Sequence, residues 1–500
     1  MSSLVLHPDH PLDLRRIHSV LSQGWMVEIS DEALERVRHG REWLEAHIAE
    51  SEHPIYGINT GFGSLCDTRV PSADLEQLQE NLVLSHACGL GEEVQPQVVR
   101  LMLLFKAQAF GYGYSGVRTV LLERLVAMYN ADCLPVVYRY GSLGASGDLA
   151  PLAHLSLALI GRGKVRLKGK LMDASEALRK LGWEPLRLKS KEGLALLNGT
   201  QFMTANAVSA LLRAHRLSFT ADLIAALSID AFDARPEPFD PRLHRIRKHP
   251  GQARCAARIV EFLEGSPRFT APKKHVQDPY AFRCIPQVHG ASLDVFDRVG
   301  ALLEDELDSV TDNPTVFPGE AVLSGGNFHG QPLAMGCDYL ALGIHEYGHI
   351  AERRIFQLQS GLRGLKPYLA AHPGLNSGLM IAQYAAASLV SRNKSLCFPA
   401  SADSIPSSNN QEDHVSMGAN AATRLHEMLD HWRDIQSIEL MHAAQALDLL
   451  GAQTAPLLEE WKASYRGVVP FLEQDAEMQP LIQAGSEWIE RVEIEGFPEP

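Results

Sequence analysis

Val415-Ser416-Met417-Gly418-Ala419-Asn420-Ala421-Ala422-Thr423-Arg424-Leu425-His426-Glu427-Met428-Leu429-Asp430-His431-Trp432-Arg433-Asp434-Ile435-Gln436-Ser437-Ile438, continuing unbroken to about Leu450, decides the fold. Leu425, Met428, Leu429, Trp432, Ile435 and Ile438 recur at three- and four-residue spacing, the period of one face of an α-helix. With a rise of ~1.5 Å per residue, that helix is on the order of 50 Å long. A helical pattern of this length points to a coiled coil, a membrane span or a long bundle. The interspersed His, Asp and Arg residues exclude a span, and a long, mostly antiparallel bundle remains.

Working outward, the same period recurs three more times. Val208, Leu211, Leu212, Phe219, Leu223 and Leu227 mark a helix beginning near Thr200. Leu293, Phe296, Leu303 and Leu307 mark a second, stopped by Asp312-Asn313-Pro314, and a third runs from about Leu333 to Gln359. The first 200 residues read differently. Short helical patterns there alternate with glycine-rich turns, notably Tyr56-Gly57-Ile58-Asn59-Thr60-Gly61-Phe62-Gly63 and the run from Gly141 to Gly147. The expected organisation is therefore mainly α: a loop-rich N-terminal domain over residues 1–200 and a long-helix bundle over residues 201–500. Strands are expected only as short pieces such as Lys164 to Lys168. No internal repeat or low-complexity tract is visible.

Composition excludes several classes of function. The formal charge of -14, with no run of Lys and Arg, would be repelled by a nucleic acid backbone or an anionic membrane. The start at Met1-Ser2-Ser3-Leu4 shows no basic-then-apolar leader pattern, and no window approaches the ~20 apolar residues of a span. The 7 cysteines are odd in number, scattered and free of Cys-x-x-Cys pairs, which suits reduced thiols. A cytoplasmic protein without disulfides, membrane or nucleic acid partners is the expectation. The sequons at Asn198 and Asn393 then meet no glycosylating compartment.

The chemistry is carried by Gly141-Ser142-Leu143-Gly144-Ala145-Ser146-Gly147-Asp148-Leu149-Ala150-Pro151-Leu152-Ala153-His154. Small residues crowd where a backbone must fold tightly on itself. Such a turn can bring the amide nitrogen of Gly147 onto the carbonyl carbon of Ala145. Loss of water would close a five-membered ring, and dehydration of Ser146 would leave an exocyclic methylidene. Ala145 and Gly147 minimise hindrance, Ser146 supplies the departing hydroxyl, and Asp148 is placed to polarise the attacked carbonyl. Taken alone, a Gly/Ala/Ser run is an ordinary turn.

The whole stretch resembles the signature of the aromatic amino acid ammonia-lyases, whose Ala-Ser-Gly triad becomes a 4-methylidene-imidazol-5-one by autocatalysis. The likeness runs from Tyr56 to at least Met417. It includes Tyr56 to Gly63, Asn81 to His86, Lys191 to Gln201, Val276 to Arg283, Ser324 to His329 and Asn410 to Met417. It implies a helical bundle of the fumarase/aspartase-like type, no metal or diffusible cofactor, and a homotetramer whose active sites are shared between subunits. Ser85-His86 and Glu412 resemble the family members that act on L-histidine, since an imidazole needs polar partners that a phenyl ring would leave unpaired. Members acting on tyrosine or phenylalanine are the alternative. The resemblance also implies roles. Tyr56 and Tyr280 are acid/base candidates, and Arg283 would grip the α-carboxylate. Asn198 and Gln277 would position groups around the electrophile at Ala145, Ser146 and Gly147, Phe328 and Met380 would form apolar walls, and His86 and Glu412 would hold the imidazole.

Three motifs compete. His345-Glu346-Tyr347-Gly348-His349 fits His-Glu-x-x-His within a predicted helix, the pattern of a zinc peptidase. However, no Asp or Glu lies between Glu352 and Asp403 to serve as a downstream ligand, so packing is the expected role of these histidines. Gly111-Tyr112-Gly113-Tyr114-Ser115-Gly116 fits a dinucleotide fingerprint, yet Val98 to Phe110 predicts a helix where a strand is required. Gly144-Ala145-Ser146-Gly147-Asp148 lacks the closing glycine of a hydrolase nucleophile elbow.

Overall fold

The computed structural model describes residues 3–50, 55–61, 63 and 68–492; Phe62 and Cys66 lie outside the described residues. Four long helices dominate: Gln201–Ala231, Ile285–Leu307, Gln331–Leu358 and Gly418–Leu450. The last has 33 residues and ends at Gly451, whose φ of 58° provides the left-handed cap that a side chain would disfavour. Its apolar stripe packs on Gln331–Leu358 and Gln201–Ala231, where Trp432 is fully buried and stacks on Tyr347 with ring centroids 4.6 Å apart. The helix Ile285–Leu307 stops before the predicted breaker at Asp312, with Asp308 at its C-cap.

Among the described residues the strands are short. The longest have 4 residues, as in Lys164–Leu167, which pairs antiparallel with Cys133–Pro135 on one side and Lys170–Asp173 on the other. The loop-rich first part and the long helices share one apolar core running from Leu4 to Ile489. Helix Pro96–Gly111, which stands where a dinucleotide fold would need a strand, packs directly on Gln201–Ala231. Among the described residues no helix is long and apolar enough to cross a membrane.

Charges are buried inside the bundle as a connected set. Arg354 donates to Glu439 at 2.6 and 2.9 Å, His289 Nδ1 meets Asp222 Oδ1 at 2.6 Å, and Arg258 reaches Asp222 at 3.0 Å. Removing a single partner from such a set costs ~3–5 kcal/mol, because a desolvated charge is left behind. Asp222, Cys255 and His289 together have ligand-type atoms close enough for a metal ion. Arg258 and Arg354 already engage Asp222 and His289, so the cluster serves packing.

One buried histidine gives a testable pH dependence. His442 is fully buried, its Nδ1 lies 2.8 Å from Ile438 O, and desolvation pushes its pKa down to about 4 from an ordinary 6.5. A folded-state pKa below the unfolded one means that the unfolded chain takes up the proton more readily. The contribution to stability is therefore whole above pH 6.5 and is lost as pH falls towards 4. His442→Gln should lose ~2 kcal/mol less stability than the parent between pH ~7 and ~5. Urea midpoints at the two pH values check this, and equal losses in both proteins would refute it.

Candidate active site

The turn Gly141–Gly147 is built as its residues require. Gly141, Gly144 and Gly147 have φ of 139°, 74° and 77°, and Ser146, which has a Cβ, is also left-handed at 52°. A non-glycine residue held there is strained, and such strain collects at functional sites. A Cβ on Gly147 would fall 2.1 Å from Gly199 O, and one on Gly144 would fall 2.1 Å from Ser416 Oγ. Neither glycine can be replaced without moving its neighbours. Gly147 bridges Gly144 within the turn and Gly199 beyond it, and Met417 N donates to Leu143 O at 2.9 Å. Two distant segments, at Gly199 and at Ser416–Met417, thus clamp one turn.

Asp148 does something other than the sequence suggested. Its carboxylate is fully buried and accepts from Ser142 Oγ at 3.0 Å, from Met203 N at 2.9 Å and from the Phe202 main chain. A carboxylate is an acceptor and cannot polarise a carbonyl by hydrogen bonding unless it carries a proton. Burial pushes its pKa up to about 7, against the opposing pull of those donors. Its amide donates to Gly199 O at 2.8 Å, which ties the start of helix Leu149–Leu157 to the same wall.

Ser146 opens into a cavity of about 510 Å³ shared with Tyr56, His86, Asn198 and Glu412. Ser146 Oγ lies 3.5 Å from Glu412 Oε1. The other oxygen of Glu412 accepts from Ser407 Oγ at 2.5 Å, and main-chain bonds between residues 407 and 412 close that loop. His86 ends helix Leu75–His86, with its Nδ1 3.0 Å from Ser85 Oγ. Partial burial lowers the His86 pKa, while the Leu82 carbonyl and the Glu412 charge work against that fall. The Tyr56 hydroxyl accepts from Gly63 N at 3.4 Å, and Asn198 Nδ2 donates to Asn313 O at 2.6 Å. Leu78, Leu82, Leu149, Leu194 and Leu197 supply apolar wall. The arrangement sets a polar end, formed by His86 and Glu412, beside the turn that carries Ser146.

The remaining predicted residues do not line this cavity. Tyr280 and Arg283 sit on the one-turn helix Tyr280–Arg283, where the guanidinium lies 4.3 Å from the Tyr280 ring centroid. Tyr280 is 69% exposed, and Arg283 Nε is buried with no hydrogen-bond partner among the described residues. Gln277 is on the preceding loop, its carbonyl accepting from Arg363 at 3.3 Å. Phe328 precedes helix Gln331–Leu358 and Met380 begins helix Met380–Leu396; both are half-buried. Ser407 was missed by sequence reasoning. It lies five residues from Glu412, in an irregular loop where Ser408, Asn409 and Asn410 all have positive φ, and no periodicity marks it.

His345, Glu346 and His349 come together on an outward face of helix Gln331–Leu358. The two rings stack with centroids 5.6 Å apart, and His349 Nδ1 is 3.7 Å from Glu346 Oε1. Glu346 and His349 are exposed beside Leu342 on the surface, none of the three lines the cavity at Ser146, and burial lowers the His345 pKa against the pull of Glu346. Tyr112 to Gly116 form a loop following a helix, as expected.

A family model described as aromatic amino acid lyase matches residues 12–467. The chain is 47% identical over 495 residues to the histidine ammonia-lyase of Geobacillus thermodenitrificans, covering 98% of each. Among solved structures, it is similar to the histidine ammonia-lyase of Trypanosoma cruzi, with 38% identity, a TM-score of 0.89 and coverage of 98% of this chain and 93% of that one. It is also similar to tyrosine aminomutase of Streptomyces globisporus, with 32% identity, a TM-score of 0.93 and coverage of 98% and 97%.

Proposed function

This chain belongs to the aromatic amino acid lyase family, and from that premise we propose that it eliminates ammonia from L-histidine to give trans-urocanate, the step that opens histidine degradation. The observation that carries the reading is the Glu412 carboxylate 3.5 Å from Ser146 Oγ, with His86 in the same cavity. A carboxylate and an imidazole can each hydrogen-bond a substrate imidazole, and a phenyl ring would leave both unpaired.

The triad residues fit a methylidene-imidazolone: Gly147 and Gly144 fill spaces that exclude a Cβ, and Ser146 is held left-handed between them. When present, that group supplies an electrophile for a substrate whose amine is a poor leaving group and whose β-hydrogen is weakly acidic. The chain's own residues do the rest. Glu412, oriented by Ser407, and His86 hold the substrate ring at the polar end. Tyr56 stands in the cavity as an acid/base candidate, and Asn198 orients groups beside the triad. Leucines from three helices keep water from the reacting carbons.

Gln277, Tyr280, Arg283, Phe328 and Met380 complete the site only if a second subunit brings them, so the reading includes a homotetramer with shared active sites. Three features support it: the exposed Tyr280, the unpartnered Arg283 Nε, and exposed Met335, Leu342 and Phe356 at seven-residue multiples along one helix. A cytoplasmic setting is part of the same reading, supported by six described cysteines that form no disulfide.

Substrate preference tests it. Ultraviolet absorbance of the conjugated product, followed with histidine, tyrosine and phenylalanine in turn, should show histidine strongly preferred. Glu412→Ala should slow histidine turnover about tenfold to a hundredfold, the loss expected for a charge-assisted hydrogen bond. Unchanged turnover in that variant, or a wild-type preference for tyrosine, would overturn the histidine assignment.

A further inference from the structure

Lys106 lies in the middle of helix Pro96–Gly111 and is 2% exposed. Its ammonium donates to two main-chain carbonyls, Asn198 O at 2.6 Å and Ala195 O at 3.2 Å, and sits 5.6 Å from the Phe110 ring centroid. Asp312 and Asp148 act on it through space, but Asp312 is itself bonded to Lys191 at 2.8 Å and Asp148 to Ser142 and Met203. Burying an ammonium on carbonyls alone is costly, and a methionine would fill similar volume without that cost. The cost shows in the lysine itself, whose pKa falls to about 7 through desolvation.

What the ammonium holds is the end of helix Glu192–Leu197 and the residues just after it. Asn198 lines the cavity, and Gly199 is the wall against which Gly147 is pressed, with Gly199 O also accepting from Asp148 N at 2.8 Å. We propose that Lys106 is a positioning residue for self-cyclisation of Ala145-Ser146-Gly147, acting by pinning the Asn198–Gly199 main chain against the triad turn. The inference rests on the prosthetic-group reading above.

The step it assists balances without an oxidant. The Gly147 nitrogen bonds the Ala145 carbonyl carbon, whose oxygen leaves as water with one proton from each of the Gly147 and Ser146 amides. A second water takes the Ser146 hydroxyl and its Cα proton, which leaves the exocyclic methylidene. Ring closure needs the Gly147 amide driven towards Ala145, and a fixed wall behind Gly147 limits the conformations in which the turn can relax away.

The test uses freshly synthesised full-length chain sampled over time by intact mass, with circular dichroism and thermal melting on the same samples. In Lys106→Met, the species two waters lighter than the encoded chain should accumulate at least about tenfold more slowly than in wild type, while secondary structure is kept. Lys106→Arg, which retains a cation and several donors, should restore most of the rate. A methionine variant that dehydrates as fast as wild type overturns the proposal. So does failure of both Lys106→Met and Lys106→Leu to fold, since the role would then be general to the core. If wild type itself never loses two waters, the prosthetic-group reading fails first, and that result is distinguishable from normal dehydration in the variant.

Discussion

Ser146→Ala is expected to fold and assemble yet turn over histidine at less than about a thousandth of the wild-type rate, equivalent to ~4 kcal/mol or more of barrier. Alanine has no hydroxyl to lose, so no methylidene can form whatever the turn's geometry. Folding should survive because the clamps on the turn are main-chain bonds and glycine packing: Met417 N to Leu143 O, Asp148 N to Gly199 O, and Gly147 against Gly199. The Ser146 hydroxyl itself approaches Glu412 only at 3.5 Å, too long to hold the turn. Intact mass supplies the direct check. Wild type should weigh two waters less than its encoded sequence, and Ser146→Ala should not. A fully active wild-type sample of unmodified mass would end the prosthetic-group reading.

Mixing two inactive variants, Ser146→Ala and Tyr280→Phe, then unfolding and reassembling them together, should regenerate about a quarter of sites with both wild-type residues if subunits share sites. The reason is geometric. Ser146, His86 and Glu412 line one cavity, while Tyr280 stands exposed outside it on a separate one-turn helix. In a tetramer the cavity of one chain would receive Tyr280 and Arg283 from another, and random pairing then repairs some sites. If both residues of a site came from one chain, every site would keep a lesion. Mixtures that reassemble into tetramers without activity above either parent would reject the shared site.

What could be read directly from the sequence was whatever depends on neighbours close along the chain. The helix Gly418–Leu450 follows from a stripe at three- and four-residue spacing, because an isolated period of this length has one low-energy way to hide its apolar face. The triad turn was legible as a run of small residues with glycines suited to left-handed backbone, although the atoms that exclude a Cβ at Gly144 and Gly147 belong to the distant Ser416 and Gly199. Even the false signals resolved locally: a helix before Gly111 rules out a dinucleotide turn.

Tertiary structure alone decided which distant groups meet. Nothing in the spacing of Ser407 and Glu412 announces that one orients the other beside Ser146, because that loop has no period and depends on left-handed residues 408–410. Asp148 also accepts from Met203 N, 55 positions away, a contact that only the packing of helix Gln201–Ala231 on the turn makes. Lys106 reads as one more residue of an apolar helix until its ammonium is found on Asn198 O, 92 positions away. Periodicity reports which face of an element is buried, whereas a site depends on which faces of different elements coincide, and that is set by the packing of the whole chain.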